Sequence, residues 1–317
     1  MLEYDMFKKQ STIQFLMFGV AIGESMTQLS NSQQEALLQQ PMNFQQDLRW
    51  GAQTSLALTT VASLSRGYQL ADVMNHFQNW YRKRQFAPEK TIQHVDVITK
   101  KAMDNYIKNR DTLSSGVFED TADSEDILVR MLPVALYLHH EYGVSFINDE
   151  MAMLTLHRIA GLTHNDEGAL VSVGMLSLIV SQLLEKQSIR DAVENGLAFG
   201  FEYYSRHKVF ASELSAFEEL NLPDFANIPV SNMTLDGRSA STLEAVIWSL
   251  LNSDSYTEAM HNAFLHGHAN SVVPTIVSAI AAIVYQEELI LQASQYLVSR
   301  KLIVGVASQA ERLGRFN

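Results

Sequence analysis

The sequence predicts an all-α protein, a compact multi-helix bundle that forms a single domain over residues 1–317. Three observations predict it. Apolar residues recur at helical spacing along much of the chain. Alternating runs bounded by turn residues, the mark of strands, are scarce. Two stretches, "LVSVGMLSLIVSQLL" and "VVPTIVSAIAAIVY", are apolar nearly all round, as helices wrapped by other helices are. At 47% hydrophobic residues the chain can bury a sizeable core. No repeat of about 30–50 residues marks a solenoid, and no linker divides the chain.

The elements follow in order. Segments 30–47, 110–124 and 221–239 are expected as loops. Within the first apolar stretch, Gly174 and Ser177 allow close helix approach. The segment "LLEKQSIRDAVENGLAFGFEYYSR" continues the helical spacing through Leu183, Leu184, Ile189, Val193, Leu197 and Phe201. The next helix runs through Leu243, Val246, Ile247, Leu250 and Leu251. Ser255 then starts another, with Glu258 at the capping-box distance. That helix is expected to end over His261 to His266, where imidazoles favour the negative end of the dipole, with Gly267 as its cap. In the second apolar stretch, Ser278, Ala279, Ala281 and Ala282 again permit close packing. At its length, with Ser, Thr and Pro inside, it is a core helix and not a membrane span.

Charge and cysteine content narrow the function. Lys and Arg number 23 against 35 Asp and Glu, a net charge of -12. Such a chain repels phosphate backbones, which argues against nucleic acid or an anionic membrane as the main partner. Cysteine is absent. Disulfides, thiolate ligands and cysteine nucleophiles are thereby excluded, and a reducing, cytoplasmic location is compatible. The start "MLEYDMFKKQSTIQ" does not read as a targeting segment.

Candidate chemistry is sparse. His261, His266 and His268 fall within eight residues, and imidazole is a common metal ligand, but the HExxH spacing is missing. The acids Glu119, Asp120, Asp123, Glu125 and Asp126 lack the EF-hand pattern. They are expected as a solvated start to the following helix, where acids are favoured. "GLTHNDEGA" offers His164, which reads as structural. "FGVAIGES" lacks the lysine of a phosphate loop, and no serine sits in a nucleophile elbow.

Taken in order, five segments resemble the ADP-ribosylglycohydrolase family over nearly the whole length. "GVAIGESMTQLSN" is similar to the opening helix with its Gly-Asp-Ala-Leu-Gly core. "RWGAQTSLALTTVASL" is similar to the segment that begins Thr-Asp-Asp-Thr. "EDILVRMLPVAL" resembles the helix Gly-Ser-Leu-Met-Arg-x-x-Pro, and "LTHNDEGA" the Thr-His segment. The stretch from Ser241 to Gln286 resembles the closing helices with Gly-Gly-Asp-x-Asp-Thr. The resemblance implies a compact all-α fold with two magnesium ions between the second and fifth segments, cleaving the bond from ADP-ribose to an amino-acid side chain.

Residue by residue the metal site departs from this pattern. Gly51, Ala52 and Gln53 stand where the family has Thr-Asp-Asp, and only Thr54 agrees. His268, Ala269, Asn270 and Ser271 stand at Asp-x-Asp-Thr. The family's aspartate of the first segment falls at Glu24 and its glutamate at Asn31. The Gly-Asn-Gly stretch falls on Ser124, Glu125 and Asp126. What persists is mostly scaffold: Gly19, Gly23, Thr54, Arg130, Pro133, Thr163, His164, Glu244 and Trp248. Magnesium demands oxygen ligands, and Ala52, Gln53, His268 and Asn270 carry no full negative charge at neutral pH to offset two such ions. The paired site is therefore expected to be lost, with His268 and Asn270 bonding Gln53 instead. No metal, cofactor or catalytic residue is expected.

Three function classes remain, in order of preference. The first is an inactive homologue whose cleft binds ADP-ribose, a related nucleotide or an ADP-ribosylated protein. The second is a hydrolase with an altered site, one transition metal on His268 with His164 or His266. The third is a structural or interaction protein.

Overall fold

The structure, a computed structural model, describes residues 10–92, 95–119, 122–266 and 272–316. Among the described residues the regular elements are fourteen α-helices joined by 3-10 turns. Strands are absent among the described residues, where two isolated parallel bridges occur, Leu48 with Leu297 and Val117 with His164. The all-α expectation stands.

Five helices form the centre: α1 (Thr12–Met26), α3 (Ala52–Leu64), α6 (Ile127–Tyr142), α8 (Glu167–Leu184) and α12 (Val272–Tyr285). Each is buried on nearly every side, because its sequence offers no polar stripe to turn towards water. Around them pack α2 (Asn31–Gln39), α4 (Leu70–Lys83), α5 (Val97–Asn109), α7 (Glu150–Ala160), α9 (Ile189–Ser205), α10 (Ser239–Leu251), α11 (Tyr256–Leu265), α13 (Glu288–Ala293) and α14 (Arg300–Leu313). The apolar side chains of all these layers meet in one contiguous core. Among the described residues, α8 has the length and hydropathy of a membrane span, yet 89% of it is buried inside the protein.

The tightest seam joins α1 to α12. A Cβ at Gly19 would stand 2.6 Å from the Ser278 carbonyl and 2.7 Å from Ala279 Cα; one at Gly23 would stand 2.7 Å from the Pro274 carbonyl. Four residues apart, both glycines lie on one face of α1 and let the two backbones touch. Ser278 Oγ then donates to the Gly19 carbonyl at 2.6 Å across the seam.

Three local expectations change. The 30–47 loop contains α2, started by Ser30 with Gln33 accepting from its amide at 2.8 Å. The stretch 183–201 is two helices, interrupted over 185–188 and restarted at Ser188, whose hydroxyl accepts from the Asp191 amide. Beyond α9, 3-10 turns run through 211–221 and recur to 232. Ser255 does cap α11, accepting from the Glu258 amide at 3.2 Å, while the Glu258 carboxylate reaches the Asp254 amide. The Gly267 cap lies outside the described residues.

Candidate functional site

The starts of five helices gather at one end of the bundle, and a side-chain carboxylate serves four of them. The first is α3. Its N-cap is Gly51, which has no side chain to satisfy the free amides of the first turn. Glu24, near the end of α1, does so instead. One oxygen accepts from the Gln53 amide at 3.2 Å; the other accepts from the Thr54 amide at 2.9 Å and the Thr54 hydroxyl at 2.6 Å. Both Glu24 and Thr54 are buried. The backbone before Gly51 is fixed in turn, because Leu48 pairs with 296–298 and Trp50 Nε1 donates to the Val298 carbonyl.

The second is α5. Its N-cap Asp96 accepts from the Thr99 amide at 2.7 Å. The third is α10. Asp123 accepts from the Ser239 amide at 3.1 Å and from the Ser239 hydroxyl, and it pairs with Arg238 at 2.9 Å. The fourth is α8, capped by Asp166 through the Ala169 amide. Each carboxylate thus meets the positive pole of a helix dipole.

The fifth start, α6, carries Asp126. Its carboxylate accepts from Gln53 Nε2 at 3.4 Å. Burial lifts the Asp126 carboxyl to about 7, reinforced by the neighbouring charges of Asp96, Glu125 and Glu24 and opposed by the Gln53 amide. Glu125, beside it, accepts from the Thr242 hydroxyl at 2.7 Å. The expectation of a solvated acidic helix start is therefore overturned for Asp123 and Asp126. Asp123 finds its partner on α10, 116 residues away, and Asp126 on α3, 73 residues away, so no local pattern announces the burial.

Behind the acids lies a buried chain of donors and acceptors. Arg130 on α6 is fully buried and donates to the Ile159 carbonyl at 3.3 Å, to the Ala160 carbonyl at 2.9 Å and to the Thr163 hydroxyl. Its guanidinium also lies over the Phe77 ring, and burial lowers its pKa to about 9. Arginine can only donate, so the Thr163 oxygen accepts from Arg130; it also lies 2.8 Å from His164 Nδ1. The other ring nitrogen, Nε2, lies 3.3 Å from the Asp96 carboxylate, which only accepts, so the imidazole proton sits on Nε2 and Nδ1 accepts from the Thr163 hydroxyl. Burial depresses the His164 pKa, so this imidazole is neutral. Burial pulls Asp96 upwards, but the His164 hydrogen bond and the Thr99 amide outweigh it and hold the carboxyl down at about 2.

Of the expected cleft residues, Glu24, Gln53, Thr54 and Asp126 are joined directly. Arg130 and His164 join Asp96, whose charge is near enough to raise the pKa of Asp126. Ala52 is buried in the first turn of α3, and Asn31 is exposed at the start of α2. His268, Asn270 and Ser271 lie outside the described residues, as does their suggested bond to Gln53. His266 packs edge-on against Trp248, and His261 pairs with Glu35 on the surface. Asp96 was not foreseen; the aspartate before "VITKKAM" was its signal, a helix N-cap. Among the described residues, no three of His, Asp and Glu converge to hold a metal ion.

The fold and this pole define an all-helical protein whose helix starts meet on buried carboxylates. The sequence pattern of ADP-ribosylglycohydrolase matches residues 8–313, and the chain belongs to that family. A solved chain described as an ADP-ribosylglycohydrolase-related protein complex is similar in fold, with a TM-score of 0.67 and 19% identity over 96% of this chain and 98% of that one. No curated protein matches the chain significantly.

Proposed function

We propose that this chain is a non-hydrolysing member of its family, one that binds ADP-ribose, a related nucleotide or an ADP-ribosylated protein without a pair of magnesium ions. The observation that carries the reading is the state of Glu24. Both its oxygens serve the start of α3, leaving that carboxylate occupied as a helix cap. Beside it Ala52 has no donor atom, and the Gln53 amide is turned to Asp126. Two adjacent divalent ions need several oxygen ligands with full charge. Glu24, Asp96, Asp123 and Asp166 serve helix poles, and the excess negative charge at Asp126 is relieved by a proton, as its raised pKa supports. This donor set does not fit a two-magnesium centre. A single transition metal on His164 fits no better, since its ring nitrogens face Thr163 and Asp96.

Two measurements test the proposal. A melting-temperature rise with ADP-ribose that survives chelation supports it, because a ligand of the native state stabilises by mass action. Magnesium-dependent release of ADP-ribose from a modified protein, abolished by Gln53→Ala, overturns it.

A further inference from the structure

A cavity of about 450 Å³ opens between α7, α9 and the 146–148 turn, on elements that supply none of the helix starts described above. That volume lies within the range of small-molecule sites, about 300–1,000 Å³. Its wall is aromatic. The Tyr203 and His207 rings are 4.3 Å apart with their planes tilted by 32°, and His157 lies 6.3 Å from Tyr203. Phe199, 39% exposed, continues the wall outwards, and Met151, 57% exposed, sits on the same helix as the lining Leu154.

The wall is held rigidly from behind. His157 Nε2 is 2.9 Å from the Tyr204 hydroxyl. Tyr204 is seated in a notch at Gly174 of α8, where a Cβ would run into that hydroxyl. Phe210 closes the stack at 5.2 Å from His157 and 5.3 Å from Tyr204. Such backing is more than a surface cleft needs.

The polar groups choose the ligand. Two carboxylates, Glu150 and Glu202, and one guanidinium, Arg206, line the cavity, and Arg206 pairs with Glu202. One negative charge is left over, on Glu150, near enough to Tyr203 to help burial raise its phenol pKa. His207 Nδ1 lies 2.7 Å from the Tyr203 carbonyl, so it carries a proton. The cavity therefore presents ring faces and the Glu150 carboxylate.

We propose that this cavity binds a planar aromatic cation, its ring against the Tyr203 ring and its N–H groups directed at Glu150. Ring faces attract cations, and a delocalised N–H cation also satisfies a carboxylate by two parallel hydrogen bonds. The site is independent of the nucleotide reading above.

The test uses the full chain and three flat probes of one shape: benzamidine, neutral benzamide and anionic benzoate. Titration followed by NMR should show saturable binding in the order benzamidine, benzamide, benzoate, with shifts at Tyr203 and Phe199. Glu150→Gln should weaken benzamidine about tenfold and leave benzamide unchanged. Phe199→Ala should weaken both. Absence of saturation, equal affinity for benzamidine and benzamide, a preference for benzoate, or an unaffected Glu150→Gln protein would each overturn the proposal.

Discussion

Replacing Glu24 by alanine isolates the contribution of the carboxylate that closes α3. The change removes three hydrogen bonds and leaves two amides and a hydroxyl in a buried place without an acceptor. A buried unsatisfied donor costs about 1–3 kcal/mol, and loss of an N-cap alone about 1 kcal/mol. Some of this is returned, because Glu24 also repels Asp126. A net loss of about 3 kcal/mol follows. The unfolding entropy of a chain this long is about 0.7 kcal/mol/K, so the melting temperature should fall by about 4–5 °C. Glu24→Gln keeps one acceptor but sets its NH₂ against an amide donor, and should fall about half as far. Calorimetry at pH 8.5, above the Asp126 transition, reads both. A Glu24→Ala protein that melts within about 1 °C of the parent refutes the assignment of this carboxylate as the cap.

Three further outcomes are expected. The folded-state pKa of Asp126, about 7, lies above its ordinary value of 3.8, so the native state binds the proton more tightly. That stability is complete below about pH 4 and lost as pH rises to about 7; Asp126→Asn should remove the slope in urea melts and gain about 2–3 kcal/mol at pH 8, whereas parallel pH profiles contradict it. His164 should show the Nε2–H tautomer in ¹⁵N spectra, and Thr163→Val, which strands an Arg130 donor and a His164 acceptor, should cost about 2–3 kcal/mol; an Nδ1–H signal breaks the chain of donors. Gly19→Ala should cost about 1–3 kcal/mol in urea by forcing α1 off α12, and an unchanged midpoint would mean the seam yields freely.

The architecture was legible because it rests on local patterns. The all-round apolar runs of α8 and α12 could only be core, and Ser255 with Glu258 announced α11. The sequence "NSQQEALLQ" of α2 has no apolar stripe, and its start signal, Ser30 with Gln33, is only three residues long. The site was less legible. Glu24, Gln53 and Asp126 could be placed near one cleft from the family pattern, but not their partners. Asp123 finds Ser239 across 116 positions, and Asp96 meets His164 across 68. Each aspartate read locally is a surface cap; folding makes it the acceptor for another helix's amides or for a buried imidazole. Charge counting at the substituted positions alone also missed that acids from other elements gather around them.

The glycine seam has a consequence for how the protein is made. Its first helix and its twelfth are some 250 positions apart in the chain, so the ribosome has to deliver most of the polypeptide before the apolar surface of the first helix finds its final partner. Meanwhile that helix is exposed to every sticky neighbour. Synthesis should therefore demand a chaperone that shelters the leading segment, and nascent chains halted before residue 272 should aggregate when released.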